Sequence, residues 1–122
     1  MAVMQSRDTR TYVAGEDLST AQFKFVTLES DGQIDLADSA GENCVGVLLN
    51  DPTSGNAATV VMSGKTLVKA GGTIAAGASV ATSAAGLAVT AASGNIVMGY
   101  ATEAAVSGQT MAVELIQGGN AV

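Results

Sequence analysis

The chain of 122 residues has no histidine and no tryptophan, and only one cysteine, one proline, two phenylalanines and two tyrosines. Without histidine, the commonest general base and metal ligand is missing. With Cys44 as the single thiol, a zinc site of ordinary type cannot be assembled. One cysteine also excludes an internal disulfide, and in Asn43-Cys44-Val45 it reads as a small buried thiol. Cations are scarce too: Arg7, Arg10, Lys24, Lys65 and Lys69 are scattered among eleven carboxylates, for a net charge of −6. Nucleic-acid binding needs clustered Lys and Arg, so no direct nucleic-acid partner is expected, and anionic membranes are disfavoured for the same reason. No apolar run approaches the roughly 20 residues of a membrane span, and Met1 to Asp8 carries no signal-peptide apolar region. The expectation is a protein made in the cytoplasm, with no membrane partner. Aromatic content is 3%, so core volume must come from Val, Ile, Leu, Met and Ala. Small side chains let backbones approach closely, which predicts apolar surface buried between copies of the chain.

What is abundant is glycine, 15 residues of it. From Gly32 to Gly119 no glycine-free run exceeds nine residues, whereas helices average about 11 and a helix interior loses about 1 kcal/mol per glycine relative to Ala. The fold class is therefore all-β: a small compact β-barrel or β-sandwich-like domain with short strands, tight glycine turns and an extended N-terminal arm. Residues 1–13 are polar, lack an apolar period and hold both arginines. They are the arm, mobile in isolation and suited to adding a strand to a foreign sheet edge. Residues 14–122 form the single β-rich domain.

Val60 to Val80 organises that domain: Val60-Val61-Met62, a turn at Ser63-Gly64, an alternating stretch Thr66 to Ala70, then Gly71-Gly72, Ile74, Gly77 and Val80. Strand side chains alternate between faces, which puts Leu67 and Lys69 opposite Thr66, Val68 and Ala70. Phe23 to Leu28 reads as a strand with both Phe residues on one face. Asp31-Gly32 supplies a hairpin turn, and Gln33 to Leu36 returns with Asp35 outward. Asn43 to Leu49 is an apolar strand covered on both faces. Ile96 to Glu103 places Ile96, Met98 and Tyr100 on one face, and Thr110 to Ile116 places Met111, Val113 and Leu115 together. Ala101 to Val106 reads as a strand end and turn. Ala14-Gly15-x-x-Leu18, Ala70-Gly71-x-x-Ile74 and Ala76-Gly77-x-x-Val80 share a pattern. The simplest account is similar turns solving similar problems, without the period of a solenoid.

Chemistry-bearing motifs are missing. Gly64-Lys65-Thr66 lacks the earlier glycine of a phosphate-binding loop, since position 59 is Thr59. Asp31, Asp35 and Asp38 lack the spacing of a calcium loop. No serine sits in a nucleophile elbow. Glu103 and Glu114 read as solvated faces or interface partners of lysines. The chain is not expected to be an enzyme, and no cofactor is implied.

A set of weak motifs in a specific order carries a resemblance. Tyr12-Val13-Ala14-Gly15-Glu16-Asp17-Leu18 comes first, then Phe25-Val26-Thr27-Leu28 with the Asp31-Gly32 turn, then Val45-Gly46-Val47-Leu48-Leu49-Asn50-Asp51-Pro52. Gly64 to Val80, Met98-Gly99-Tyr100-Ala101-Thr102-Glu103-Ala104-Ala105 and Val113-Glu114-Leu115 follow. From Tyr12 onward the chain resembles the capsid cement, or head decoration, proteins of tailed bacteriophages. The resemblance implies a small β-rich structural protein on the outer surface of the phage head, commonly a homotrimer, whose arm contacts the major capsid protein. The candidate capsid-contact residues are Arg7, Arg10, Thr11 and Tyr12. The alternative is a small β-clip or barrel-sandwich ligand-binding module. That reading wants a carrier lysine at a hairpin tip, with Lys65 the candidate, and a deep polar pocket.

Overall fold

The computed structural model describes residues 7–116, so residues 1–6 of the arm and the Gly118-Gly119-Asn120 end lie outside the described residues. Among the described residues there is no helix, and nine strands make one sheet: β1 (Arg7–Ala14), β2 (Phe25–Leu28), β3 (Gln33–Leu36), β4 (Gly46–Leu48), β5 (Ala57–Lys69), β6 (Ser79–Thr82), β7 (Ala88–Thr90), β8 (Gly99–Ala101) and β9 (Thr110–Leu115). The order is β1-β3-β2-β4-β5-β9-β8-β6-β7. Because β1 also pairs with β5, the first five strands close into a ring. The remaining strands start from the same β5, and a parallel bridge from Ala70 to Ala88 returns β7 to its end. The protein is all-β, as the glycine spacing predicts, but the sheet curls back on itself twice and is not a clean barrel.

The long strand β5 is the hinge of this design. The sequence predicts a turn at Ser63-Gly64; instead the strand runs through it. Asp8 pairs with Ser63 and Thr9 with Val61, so Met62 is an extra residue in the ladder. Such a bulge reverses which face later side chains take. Before it, Ala58 and Val60 point into the first core. After it, Val68 and Ala70 point into the second. Gly64, at φ 96, accommodates the distortion. One strand thereby serves two cores.

The two rings are built alike. In the hairpins, Val26↔Leu36, Thr27↔Asp35 and Leu28↔Ile34 match Val80↔Thr90, Ala81↔Val89 and Thr82↔Ala88. Next in order, Phe25↔Val47 and Val26↔Gly46 match Ser79↔Tyr100 and Val80↔Gly99. Then Leu48↔Val60 matches Ala101↔Val113, and Val13↔Ala57 matches Lys69↔Thr110. Bonds outside the ladders agree: Gly15 N donates to Ile34 O at 2.8 Å and Gly71 N to Ala88 O at 2.7 Å, while Gly55 N donates to Ala14 O at 2.8 Å and Gly108 N to Ala70 O at 2.9 Å. The interiors correspond too. Ala14, Leu18, Val26, Ile34, Leu48, Ala58 and Val60 fill the first, and Ala70, Ile74, Val80, Ala88, Ala101, Met111 and Val113 take the same places in the second. Large and small exchange between layers: Leu48 and Ile34 give way to alanines where Ala58 gives way to Met111. Close packing permits such swaps when total volume is kept.

Three local expectations change. Phe23 is not in β2; at φ 65 it sits half-buried before the strand, while Phe25 is fully buried. Its N–H donates to Leu48 O, as the N–H of Gly77 does to Ala101 O, so Phe23 occupies a glycine's place. Met98 and Tyr100 do not share a face, since Met98 is 4% exposed and Tyr100 is 43% exposed; only Gly99–Ala101 is strand there. Of the three Ala-Gly patterns, those at Ala14 and Ala70 are true counterparts. Ala76-Gly77 instead matches Gln22-Phe23.

Other expectations hold. Val47 and Leu48 are fully buried in β4, Met111, Val113 and Leu115 are buried on one face of β9, and Gly32 turns the β2–β3 hairpin at φ 83.

Candidate interaction surfaces

Where the sequence predicts a free arm, the structure from Arg7 onward has a strand of the protein's own sheet. Seven residues, Arg7 to Val13, are in register with β5, and Val13 and Ala14 alone also pair with β3. From Asp8 to Tyr12, therefore, one side of β1 is laddered and the other faces outward without a strand among the described residues. Of the candidate contact residues, Arg10 and Thr11 are exposed on this edge, and Tyr12 is half-buried against the first core. Arg10 forms an ion pair with Asp8 and donates to Thr9 O at 3.0 Å. An exposed pair of this kind contributes at most about 1 kcal/mol, so the guanidinium is readily re-partnered. Arg7 pairs through its backbone with Gly64.

Several carboxylates clamp loops. Glu16 Oε2 accepts from Leu36 N at 2.8 Å, Glu42 Oε2 from Asp38 N at 3.1 Å, and Glu103 Oε1 from Ala112 N at 3.2 Å. The Glu103 clamp has its counterpart in Asn50 Oδ1, which accepts from Thr59 N at 3.0 Å. Reading Glu103 as a solvated face or a lysine partner missed this role. Asp31 Oδ1 accepts from Gln33 N at 2.9 Å and closes the hairpin turn. Asp35 is not simply outward: its Oδ1 is sealed from solvent, against Gly15, without a hydrogen-bond partner among the described residues. Burial, then the charges of Glu16, Glu29, Asp31 and Asp38, raise its pKa above the usual 3.8. Among the described residues no set of three or more candidate ligands is placed to hold a metal ion. Cys44 is buried, as expected, and burial followed by the charge of Glu42 pushes its thiol up to about 12.

Lys65 lies within β5, paired with Glu114, and not at a hairpin tip. An open hollow of about 380 Å³ lies between the segments 73–75 and 104–109, lined by Ile74, Ala75, Ala104, Ala105 and Val106 with Thr73 and Gln109. It is apolar and open, not the deep polar pocket that the ligand-binding alternative requires. Among the described residues, the large apolar side chains exposed to solvent are Val13, Leu28, Leu67, Tyr100 and Val106.

A long strand shared by two glycine-turned rings is the frame on which these surfaces sit. In a comparison with family models, the phage cement protein model matches residues 4–116. The chain belongs to the phage cement protein family. A solved structure, the head fiber gp8.5 N base of bacteriophage phi29, is similar with a TM-score of 0.71 at 23% identity, over 91% of this chain and 95% of that one. At that identity the likeness speaks to fold. A comparison with curated proteins gives no match. The cement family is a structural class associated with the phage capsid, which agrees with the resemblance seen in the motif order.

Proposed function

We propose that this cement protein binds the outer surface of an assembled phage head and stabilises the lattice, with the major capsid protein as its partner. The family match over residues 4–116 carries the reading. The geometry supports it: the laddered strand β1 presents a preformed outward edge from Asp8 to Tyr12, and a strand edge is a ready template for pairing with another chain. Arg7, Arg10, Thr11 and Tyr12 are the contact residues of this edge, backbone first, with Arg10 exchanging Asp8 for a capsid carboxylate. A protein that binds only the assembled lattice stabilises it by mass action, with a gain that grows with free concentration over Kd. Exposed Leu67 and Tyr100 on the outer face of the second ring support association of copies as a homotrimer.

Co-sedimentation with undecorated, expanded heads tests the reading. Saturable binding that raises the temperature of head disruption is the expected result. Arg10→Ala should weaken attachment while leaving the melting temperature of the free protein unchanged. Failure of the wild-type protein to sediment with expanded heads at any concentration refutes the proposal. Light scattering tests the trimer separately, and a strictly monomeric mass at high concentration removes it.

A further inference from the structure

The correspondence of the two rings isolates a group of charges that the fold does not need. Asp35 of β3 answers to Val89 of β7, because Thr27↔Asp35 matches Ala81↔Val89. In the same register Glu16, Glu29, Asp31 and Asp38 answer to Gly72, Ser83, Ala85 and Ala92. These carboxylates of the first ring stand where the second ring is neutral, and both rings close in the same way.

Asp35 lies at the centre of the group. Its Oδ1 is sealed from solvent, and no donor reaches it among the described residues. It lies over Gly15, where an added Cβ would collide with it and come within 3.1 Å of Gln33 Oε1. The space above Gly15 thus gathers a carboxylate oxygen and an amide oxygen, two acceptors with no donor between them. The charges that face Asp35 are all of its own sign: Glu16 from the segment after β1, Glu29 and Asp31 from the β2–β3 turn, and Asp38 from the segment after β3. From β2 comes Thr27, whose hydroxyl donates to Glu29 Oε2 at 3.0 Å. Gly15 N donates to Ile34 O at 2.8 Å, and Glu16 Oε2 accepts from Leu36 N at 2.8 Å. These two bonds tie the end of β1 to β3, one on either side of Asp35 in the strand.

We propose that Asp35 is a pH-sensitive latch between the end of β1 and β3: protonated, it holds the Gly15-Glu16 segment closed on β3, and ionised, it lets that segment open. Ionised, Asp35 sets a second carboxylate beside Glu16 and leaves a sealed oxygen unsatisfied, both of which cost free energy. Protonated, it removes the repulsion and supplies the missing donor, with Gln33 Oε1 as acceptor. The outward edge from Asp8 to Tyr12 is continuous with this junction, so acidity sets how firmly the edge is anchored, whatever the edge binds. Burial, then the like charges, raise the folded-state pKa of Asp35 above 3.8. The latch is therefore fully closed below 3.8 and weakens as pH rises through the raised folded value. The counterpart junction is a control within the molecule: Gly71 N donates to Ala88 O at 2.7 Å, with Val89 and Gly72 in place of Asp35 and Glu16.

NMR on the full-length isotope-labelled protein, titrated from about pH 3 to about pH 7, tests the latch. The Asp35 carboxyl carbon should titrate with a midpoint above 3.8. Amide-exchange protection, corrected for the intrinsic dependence of exchange on pH, should fall about threefold or more at Gly15 and Leu36 over that rise. Protection at Gly71 should stay level. Asp35→Asn carries no charge and keeps a donor, so it should abolish the fall at Gly15 and Leu36. If that variant does not fold, Glu16→Gln keeps the test open: loss of the like charge should bring the Asp35 midpoint down. A midpoint at or below 3.8 in the wild type overturns the proposal. So does an equal fall at Gly71, an undiminished fall in Asp35→Asn, or an Asp35 midpoint that Glu16→Gln does not lower.

Discussion

Removing residues 2–11 tests whether β1 is an arm or a wall. A polar, aperiodic terminus predicts that the fold would hardly notice the loss. The structure predicts the opposite. Arg7, Asp8, Thr9, Arg10 and Thr11 pair with Gly64, Ser63, Val61, Val60 and Thr59, leaving only Tyr12 and Val13 of the β1–β5 register. Cross-strand pairs contribute roughly 0.2–1 kcal/mol each, and net backbone hydrogen bonds about 0.5–1.5 kcal/mol each. The two figures overlap, and ordering the segment opposes both, so the net loss is about 2–4 kcal/mol. For a domain with roughly 5–15 kcal/mol of stability this is a large share. At about 4–8 °C per kcal/mol for a domain of some 60–100 residues, the melting temperature should fall by about 10 °C or more. Calorimetry on the wild type, on a variant lacking residues 2–6 and on one lacking residues 2–11 isolates the contribution of the strand. Equal melting temperatures for the two truncations, within about 2 °C, would refute the reasoning and return β1 to the status of a free arm.

Gly46→Ala and Gly99→Ala should each destabilise by about 3 kcal/mol or abolish folding, because a Cβ at either position runs into a backbone carbonyl of the neighbouring strand, Val61 O or Glu114 O; urea titration measures both, and tolerance of either refutes the close approach. Phe23→Gly should be more stable than Phe23→Ala by about 1 kcal/mol, since both lose the ring and only glycine accepts φ 65 without strain; equal stabilities would count against it. Asp35→Asn should stabilise the protein at neutral pH. The folded-state pKa of Asp35 is raised by burial and four acidic neighbours, so ionisation costs stability as pH rises above 3.8, and the variant's advantage should vanish in melts below that pH. Cys44, with its thiol at about 12 against an ordinary 9.0, should stay unmodified by alkylating reagents at pH 8 until the chain unfolds, and its stabilising share should fade as pH climbs from 9.0 toward 12.

Much of this was legible in the residues because it depends on local chemistry. Glycine at intervals too short for a helix dictates strands and turns. Alternation in Thr66 to Ala70 and in Thr110 to Leu115 already names the buried face of each strand. Gly32, Gly41, Gly46 and Gly55 recur as Gly86, Gly94, Gly99 and Gly108, so the doubling was written in the spacing of turns. It was masked by the better-looking but false repeat at Ala76-Gly77. Pattern matching weighs residue identity, and here the equivalent of a glycine is Phe23.

Other features were decided only by the fold. Polar sequence at residues 7–13 has no period to announce a strand, because β1 has one edge outward and gains its order from β5, some fifty positions away. Ser63-Gly64 carries the local signature of a turn, and only the pairing of β1 and β9 on either side of β5 holds it extended as a bulge. Tyr100 and Met98 part company because Gly99–Ala101 is strand and Met98 is not. The exposure of Val13 and Leu28 also belongs to tertiary structure alone: their counterparts Lys69 and Thr82 are covered by the other half of the chain, and nothing in a linear sequence says which of two equivalent rims a fold will cover. Composition and turn chemistry determined that the protein is all-β. Long-range pairing determined which edges and rims it turns outward, because hydrogen bonds between distant strands are not encoded by any one of them.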